Sequence, residues 1–211
     1  MSTEIPKRRG RPPSGQREAI LRSTLELLRD RGIAKLTTRE IARHAGVSEA
    51  SVYYHFSDRA GLLQAVFEEG LQPLSLLAQP PNPDSDRAEV LARAAQTLSQ
   101  FFDEVLPVLI AAQSDPELQA ALTAYISERD LGPHRGVAAI GGYLRAQQAA
   151  GEIDPSVDVD AAALMLIGAC FIRVVERQLM GQAGRLPELE RVVITLDGLL
   201  GAGARGSPES R

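Results

Sequence analysis

Residues 36–56 of this 211-residue chain read LTTREIARHAGVSEASVYYHF, and the fold turns on how that stretch is read. Thr37 can cap a helix while Glu40, three residues on, reaches back to close a capping box. The helix so begun is short: it carries Ile41, Ala42 and Ala45 inward and stops at Gly46, whose missing Cβ tolerates left-handed backbone. Ser48 then caps a second helix that begins at Glu49. Two short helices, a tight turn containing glycine, and apolar Val47 in that turn to pin the pair together spell a helix-turn-helix. On the second helix Val52 and Phe56 are four apart and share the buried face, which leaves Glu49, Ala50, Ser51, Tyr53, Tyr54 and His55 for the rest. Small residues in its first turn permit close approach to base edges, and the tyrosine hydroxyls and the imidazole beyond can donate to phosphate oxygens. Tyr54 has a second reading, as a ring packed inward beside Phe56.

Charge follows the same division. Residues 1–59 hold twelve Lys and Arg against seven Asp and Glu, whereas 60–211 hold eleven against twenty, and the chain as a whole stands at −4. A basic head on an acidic body suits a polyanion-binding module, the alternative being an arginine excess on a solvated face. Upstream, apolar residues recur at helical spacing over 16–31, with Gly32 as the stop. Before that, PKRRGRPP at 6–13 sets Arg8, Arg9 and Arg11 among prolines. It reads either as an AT-hook-like element laid in a narrow minor groove or as a basic tail that adds charge without selectivity.

Composition narrows the remaining classes. Hydrophobic content of 44%, mean hydropathy of −0.10 and a wealth of Leu, Ala, Glu and Arg favour an all-α globular protein. The N-terminus lacks the apolar stretch of a secretory signal, and the longest apolar run, 161–172, is shorter than the ~20 residues of a spanning helix. A single cysteine, Cys170, allows no internal disulfide and suits a reducing compartment, so a cytoplasmic location with no membrane contact is expected. No nucleophile elbow, phosphate loop or metal-spaced Cys/His cluster is present, so neither catalysis, nor a cofactor, nor a metal is expected.

From 16 to about 71, including LTTREIARHAGVSEASVYYHF and the following SDRAGLLQAVFEEGL, the chain resembles the TetR family of bacterial transcriptional regulators. That resemblance implies DNA contacts from Thr38 and Arg39, from Ser48, Glu49, Ala50 and Ser51, from Tyr53 and His55, and from Arg59, with Tyr54 beside them. Arg59 stands where the family more often has lysine, and either binds phosphate. Glu49 departs in chemistry: a carboxylate near phosphates is repelled unless it accepts from a cytosine amino group or faces away.

The resemblance further implies an N-terminal three-helix DNA-binding domain and a C-terminal helical domain for effector binding and dimerisation. The expected boundaries are a flexible basic arm at 1–15, the helix-turn-helix at 16–59, a connecting helix at 60–78, the helical body at 79–201 and a disordered tail at 202–211. In the body, helices are predicted over 87–106, 108–113, 116–131, 136–150, 158–180 and 187–200. Ala161, Leu164, Gly168, Ile172, Val175 and Leu179, with Leu189, Val193, Leu196 and Leu200, give more apolar face than one body needs, and family members dimerise through the corresponding helices. The alternative is that both helices are simply core. A twofold pair would match a palindromic operator.

An effector of unknown identity is implied by the same likeness. Candidate pocket residues are Phe101, Phe102, Tyr125, Tyr143, Met165, Cys170 and Phe171, with His134 and Arg173 as polar handles; Arg173 has an alternative partner in Glu176. The expected function is a sequence-specific regulator, a repressor released by a small molecule. The alternative is an architectural DNA-binding protein that uses arm and head without sequence choice or effector.

Overall fold

The computed structural model describes residues 13–32, 36–79, 85–181 and 184–202. The described residues form α1 Pro13–Arg31, α2 Thr38–Ala45, α3 Glu49–His55, α4 Arg59–Gly70, a 3-10 helix Gln72–Ala78, α5 Arg87–Gln113, α6 Pro116–Glu128, α7 Pro133–Ala149, α8 Val159–Leu179 and α9 Leu189–Ala202, with no strand among them. Two compact units share this chain, and they do not follow its order. Of the described residues, the first comprises those up to Glu69 together with Pro107–Thr123; the second comprises those of Gly70–Leu106 and those from Ala124 onward.

In the first unit, α1, α2 and α3 pack on one another through Ile20, Leu27, Leu28, Leu36, Ile41, Val52 and Phe56, all buried. Thr24, fully buried on α1, satisfies its hydroxyl by donating to the Ile20 carbonyl at 2.8 Å. Arg17 lies over the Phe56 ring at 5.7 Å. Within the same unit the Gln64 amide of α4 donates to the Ala121 carbonyl of α6 at 3.2 Å, and Asp115 caps α6 by accepting from the Glu117 and Leu118 amides.

The second unit is built on Leu91, Ala95, Leu98, Ile140, Leu144, Ala163, Leu166, Ile167, Cys170, Val193, Leu196 and Leu200. α7 and α8 lie close because Gly141 offers no Cβ where the Asp160 side chain sits, and Arg145 pairs with that carboxylate at 2.6 Å. Asp158 caps α8 through the amides of Asp160 and Ala161. At the start of α5, Arg87 pairs with Asp197 of α9 at 2.6 Å and donates to the Glu152 carbonyl at 2.9 Å, tying three segments far apart in sequence. Burial raises the neighbouring Tyr143 phenol above its ordinary value.

Several boundaries differ from expectation. The break anticipated at Pro107 is absent, and α5 runs through it. Proline cannot donate to the carbonyl four residues back, that of Asp103, but the Gln178 amide of α8 supplies the missing donor at 3.0 Å. The 3-10 helix after α4 has no separate signal in the sequence pattern. α7 begins at Pro133, earlier than expected, and α9 begins at Leu189, after Pro187.

Candidate nucleic-acid interface

The local signals that set α2 and α3 operate largely as the sequence suggests. Thr37 accepts the Glu40 amide at 3.2 Å, and Gly46 ends α2 with φ of 68°. The reciprocal half of the capping box is not made: the Glu40 carboxylate turns to Arg31 at 3.2 Å and Arg43 at 3.6 Å. A carboxylate gains more from two cations than from one backbone amide already near water. Ser48 caps α3 by accepting the Ser51 amide at 3.1 Å, and the two serine hydroxyls lie 2.8 Å apart.

On α3 Val52, and just past its end Phe56, face the core, and Glu49, Ala50, Tyr53 and Tyr54 face out, with Ser51 half-buried. Tyr53 is 56% exposed and Tyr54 82%, so the inward reading of Tyr54 is excluded by the structure. On α2, Arg39 is exposed and Thr38 half-buried. The Thr38 hydroxyl donates to Glu49 Oε1 at 2.6 Å and lies 3.4 Å from the Tyr53 hydroxyl, so the base-facing candidates of two helices form one connected group.

His55 departs from the expected exposed position. Its ring is half-buried, with Tyr54 edge-on at 5.2 Å, and its Nε2 is buried with no hydrogen-bond partner among the described residues. It is the last residue of α3, where the chain turns toward α4. Arg59 opens α4 and lies 3.9 Å from Asp115. Arg8, Arg9 and Arg11 of the arm lie outside the described residues.

The body candidates scatter. Cys170 is fully buried, its thiol directed at the Ala95 carbonyl at 3.6 Å, and desolvation pushes its pKa up to about 11. Phe102 packs edge-on to Phe171 at 5.3 Å and beside Phe101 at 5.0 Å, and Tyr143 lies against the core. Tyr125 is buried under the Arg129 guanidinium, 4.0 Å from its ring. The structure does not gather the remainder with them: Met165 is 67% exposed on the outer face of α8, and His134 is exposed beside Asp130 at 3.3 Å. Arg173 does not pair with Glu176, which is itself buried; it donates to the Pro187 carbonyl and pairs with Glu188 at 3.1 Å.

On α8, Leu164, Gly168, Ile172 and Leu179 are exposed along one face, with Ala161 and Val175 half-buried beside them. On α9 the expected interface residues Leu189, Val193, Leu196 and Leu200 lie in or against the unit's own core, as the alternative of a core helix has it. Val193, Leu196 and Leu200 are buried there and Leu189 packs against them, whereas Leu199 and Ile194, the latter not among the expected apolar residues, are exposed. Met165, Phe171 and Met180 add to the exposed apolar surface of α8 and its end.

A short capped helix presenting small and hydroxylated groups, braced by a second helix and set in a small helical unit, defines a helix-turn-helix protein with a further helical unit. Residues 20–66 match the family model described as bacterial regulatory proteins, tetR family. Tetracycline repressor protein class C of Escherichia coli is 39% identical over 71 residues, a match that spans 34% of this chain and only 32% of that repressor. Among solved structures, a TetR-family transcriptional regulator from Rhodococcus sp. superposes with a TM-score of 0.63 at 21% identity, covering 90% of this chain and 98% of that one. AibR, solved in complex with isovaleryl coenzyme A and operator DNA, gives 0.58 at 23% identity, covering 88% and 98%. At such identities these likenesses show the fold. The family match is thus confined to residues 20–66, and over the rest of the chain the likeness is one of fold.

Among the described residues no helix is long and apolar enough to cross a membrane, and no group of His, Cys, Asp and Glu side chains is arranged to hold a metal ion.

Proposed function

We propose that this protein is a sequence-specific DNA-binding transcriptional regulator, a repressor that two copies place on a palindromic operator and that a small molecule releases. One observation carries the reading: α3, capped by Ser48, turns Ala50, Tyr53 and Tyr54 outward beside Thr38 and Arg39 of α2, which is a surface of small and hydrogen-bonding groups with a cation at its edge. In this reading 16–59 is the DNA-binding domain, with the basic arm adding charge or minor-groove contacts. Arg59 opens α4 as a phosphate contact, and the remaining helices bind effector and partner. AibR, a neighbour in fold, was solved with both an acyl-coenzyme A and operator DNA, which supports an effector-controlled reading without naming the effector here.

Dimerisation through α8 and α9 accounts for the exposed Leu164, Ile172 and Leu179 on the first and Ile194 and Leu199 on the second, surface that a lone copy leaves in water. The aromatic group of Phe101, Phe102 and Phe171 is the best-formed candidate for a pocket wall, since the three rings already touch.

The deciding experiment is equilibrium binding of the purified protein to the DNA upstream of its own gene and to a scrambled duplex of equal length, at physiological salt. The regulator reading expects a preference of roughly a thousandfold or more. Equal affinity for the two would replace it with an architectural DNA-binding protein.

A further inference from the structure

One acidic side chain stands in the exposed group of α3. Glu49 lies in the first turn of that helix, beside Ala50 and on the same outward surface as Tyr53. Near DNA phosphates a carboxylate is repelled, so at this place it weakens binding unless a base compensates. Its conformation is set: Oε1 accepts the Thr38 hydroxyl at 2.6 Å, and Thr38 in turn lies 3.4 Å from the Tyr53 hydroxyl. An ionised carboxylate has two oxygens and about four lone-pair sites, so one hydroxyl donor leaves most of its accepting capacity unused. The Thr38 bond therefore orients the group without exhausting it.

Resting on the regulator reading above, we infer that Glu49 is a specificity-determining residue that selects cytosine at one base pair in each half of the operator by accepting a hydrogen bond from the cytosine N4 amino group. In the major groove guanine offers only the N7 and O6 acceptors and thymine the O4 acceptor and a methyl group, and both repel a carboxylate. Adenine offers an amino donor, but its neighbouring N7 is an acceptor for which an ionised carboxylate has no proton. Cytosine alone presents a donor with no adjacent acceptor to oppose the charge. Ala50 beside it has only a methyl side chain, which lets α3 approach closely enough for so short an acidic reach.

The test compares wild type, Glu49→Gln and Glu49→Ala in equilibrium binding to a library carrying every single base-pair change of the selected operator. Wild type is expected to prefer cytosine at one position of each half-site by roughly tenfold to a hundredfold. Glu49→Gln, which keeps an acceptor for Thr38 and gains an amide donor, is expected to move that preference to adenine, whose N6 and N7 a carboxamide meets together. Glu49→Ala is expected to flatten the preference at that position while leaving the others intact. A merely structural staple between α2 and α3 would show as identical base preferences in wild type and Glu49→Gln, and that outcome overturns the inference alone. A wild type with no base preference anywhere overturns the regulator reading and takes the inference with it. Thermal unfolding of each variant confirms that a flattened profile comes from a folded head.

Discussion

The side-chain amide of Gln178 on α8 donates to the backbone carbonyl of Asp103 on α5 at 3.0 Å, and that carbonyl is the one Pro107 leaves without its helical donor. The same amide reaches the Asp103 carboxylate at 2.9 Å, while Arg177 holds that carboxylate at 2.6 Å. Two neighbours on α8 thus repair and clamp the one place where α5 carries a proline. An unrepaired carbonyl would cost about 1 kcal/mol or more where water has poor access. Gln178→Leu is therefore expected to destabilise the fold by about 1–2 kcal/mol, and the loss should shrink in a Pro107→Ala background, where the helix supplies its own donor. Urea unfolding of the four proteins of this double-mutant cycle measures the coupling; purely additive losses would show that Gln178 serves another purpose.

Tyr53→Ala removes an exposed ring and hydroxyl from α3 while leaving Val52 and Phe56 in the core. Operator affinity is expected to fall about tenfold or more, with little change in melting temperature. Binding isotherms and thermal melts on the same samples check both halves; undiminished operator binding would remove α3 from the interface.

Cys170 supplies a pH dependence. Its thiol, buried and shifted up from 9.0 to about 11, stays protonated in the fold while an unfolded chain ionises near its ordinary value. Between these values the unfolded state binds fewer protons than the folded one, so stability falls as pH rises from about 9 to 11 and is unaffected by this group below that window. Tyr143 is shifted in the same direction and adds to the fall at the upper end. Chemical denaturation at pH 8 and pH 10 is expected to show a stability loss on the order of 1 kcal/mol that is smaller in Cys170→Ala. A thiol reagent at pH 8 should modify the native protein only as fast as it opens.

Leu164→Glu together with Leu199→Glu places charge on both exposed apolar faces without touching the core residues Leu166 and Leu200. If those faces join two copies, sedimentation velocity should show the variant as a monomer at concentrations where wild type is a dimer, with operator binding weakened as well. A variant that assembles like wild type would place the partner surface elsewhere.

Arg8→Ala with Arg11→Ala is expected to weaken binding to operator and scrambled DNA alike and to flatten the slope of log K against log salt by up to about 0.9 for each phosphate no longer neutralised. Titrations over a salt series separate this from a minor-groove reader, whose loss would fall mainly on A-tract-containing sites.

How far these features were legible differs from place to place. Thr37, Gly46, Ser48, Val52 and Phe56 lie within twenty residues of one another and act through caps, a left-handed glycine and an i, i+4 face, so their roles were readable in order along the chain. α9 was harder. VVITLDGLL carries apolar residues on nearly every side, and periodicity alone does not separate Val193, Leu196 and Leu200, which are buried, from Ile194 and Leu199, which are exposed. Met165 and Cys170 stand five apart on α8 with similar hydrophobicity, yet one is outside and the other fully enclosed.

By itself the sequence determined an all-helical protein with a helix-turn-helix near its start, because helix caps, stops and short-range spacing depend on neighbours a few residues away. Only the tertiary structure decided that α5 continues through Pro107, that Arg87 clasps Asp197, that His55 turns inward and that Thr38 orients Glu49. All but the turn of His55 depend on a group supplied by another element, in two cases from more than seventy residues away, and no local pattern encodes which of several competing partners a folded chain will bring within hydrogen-bonding reach.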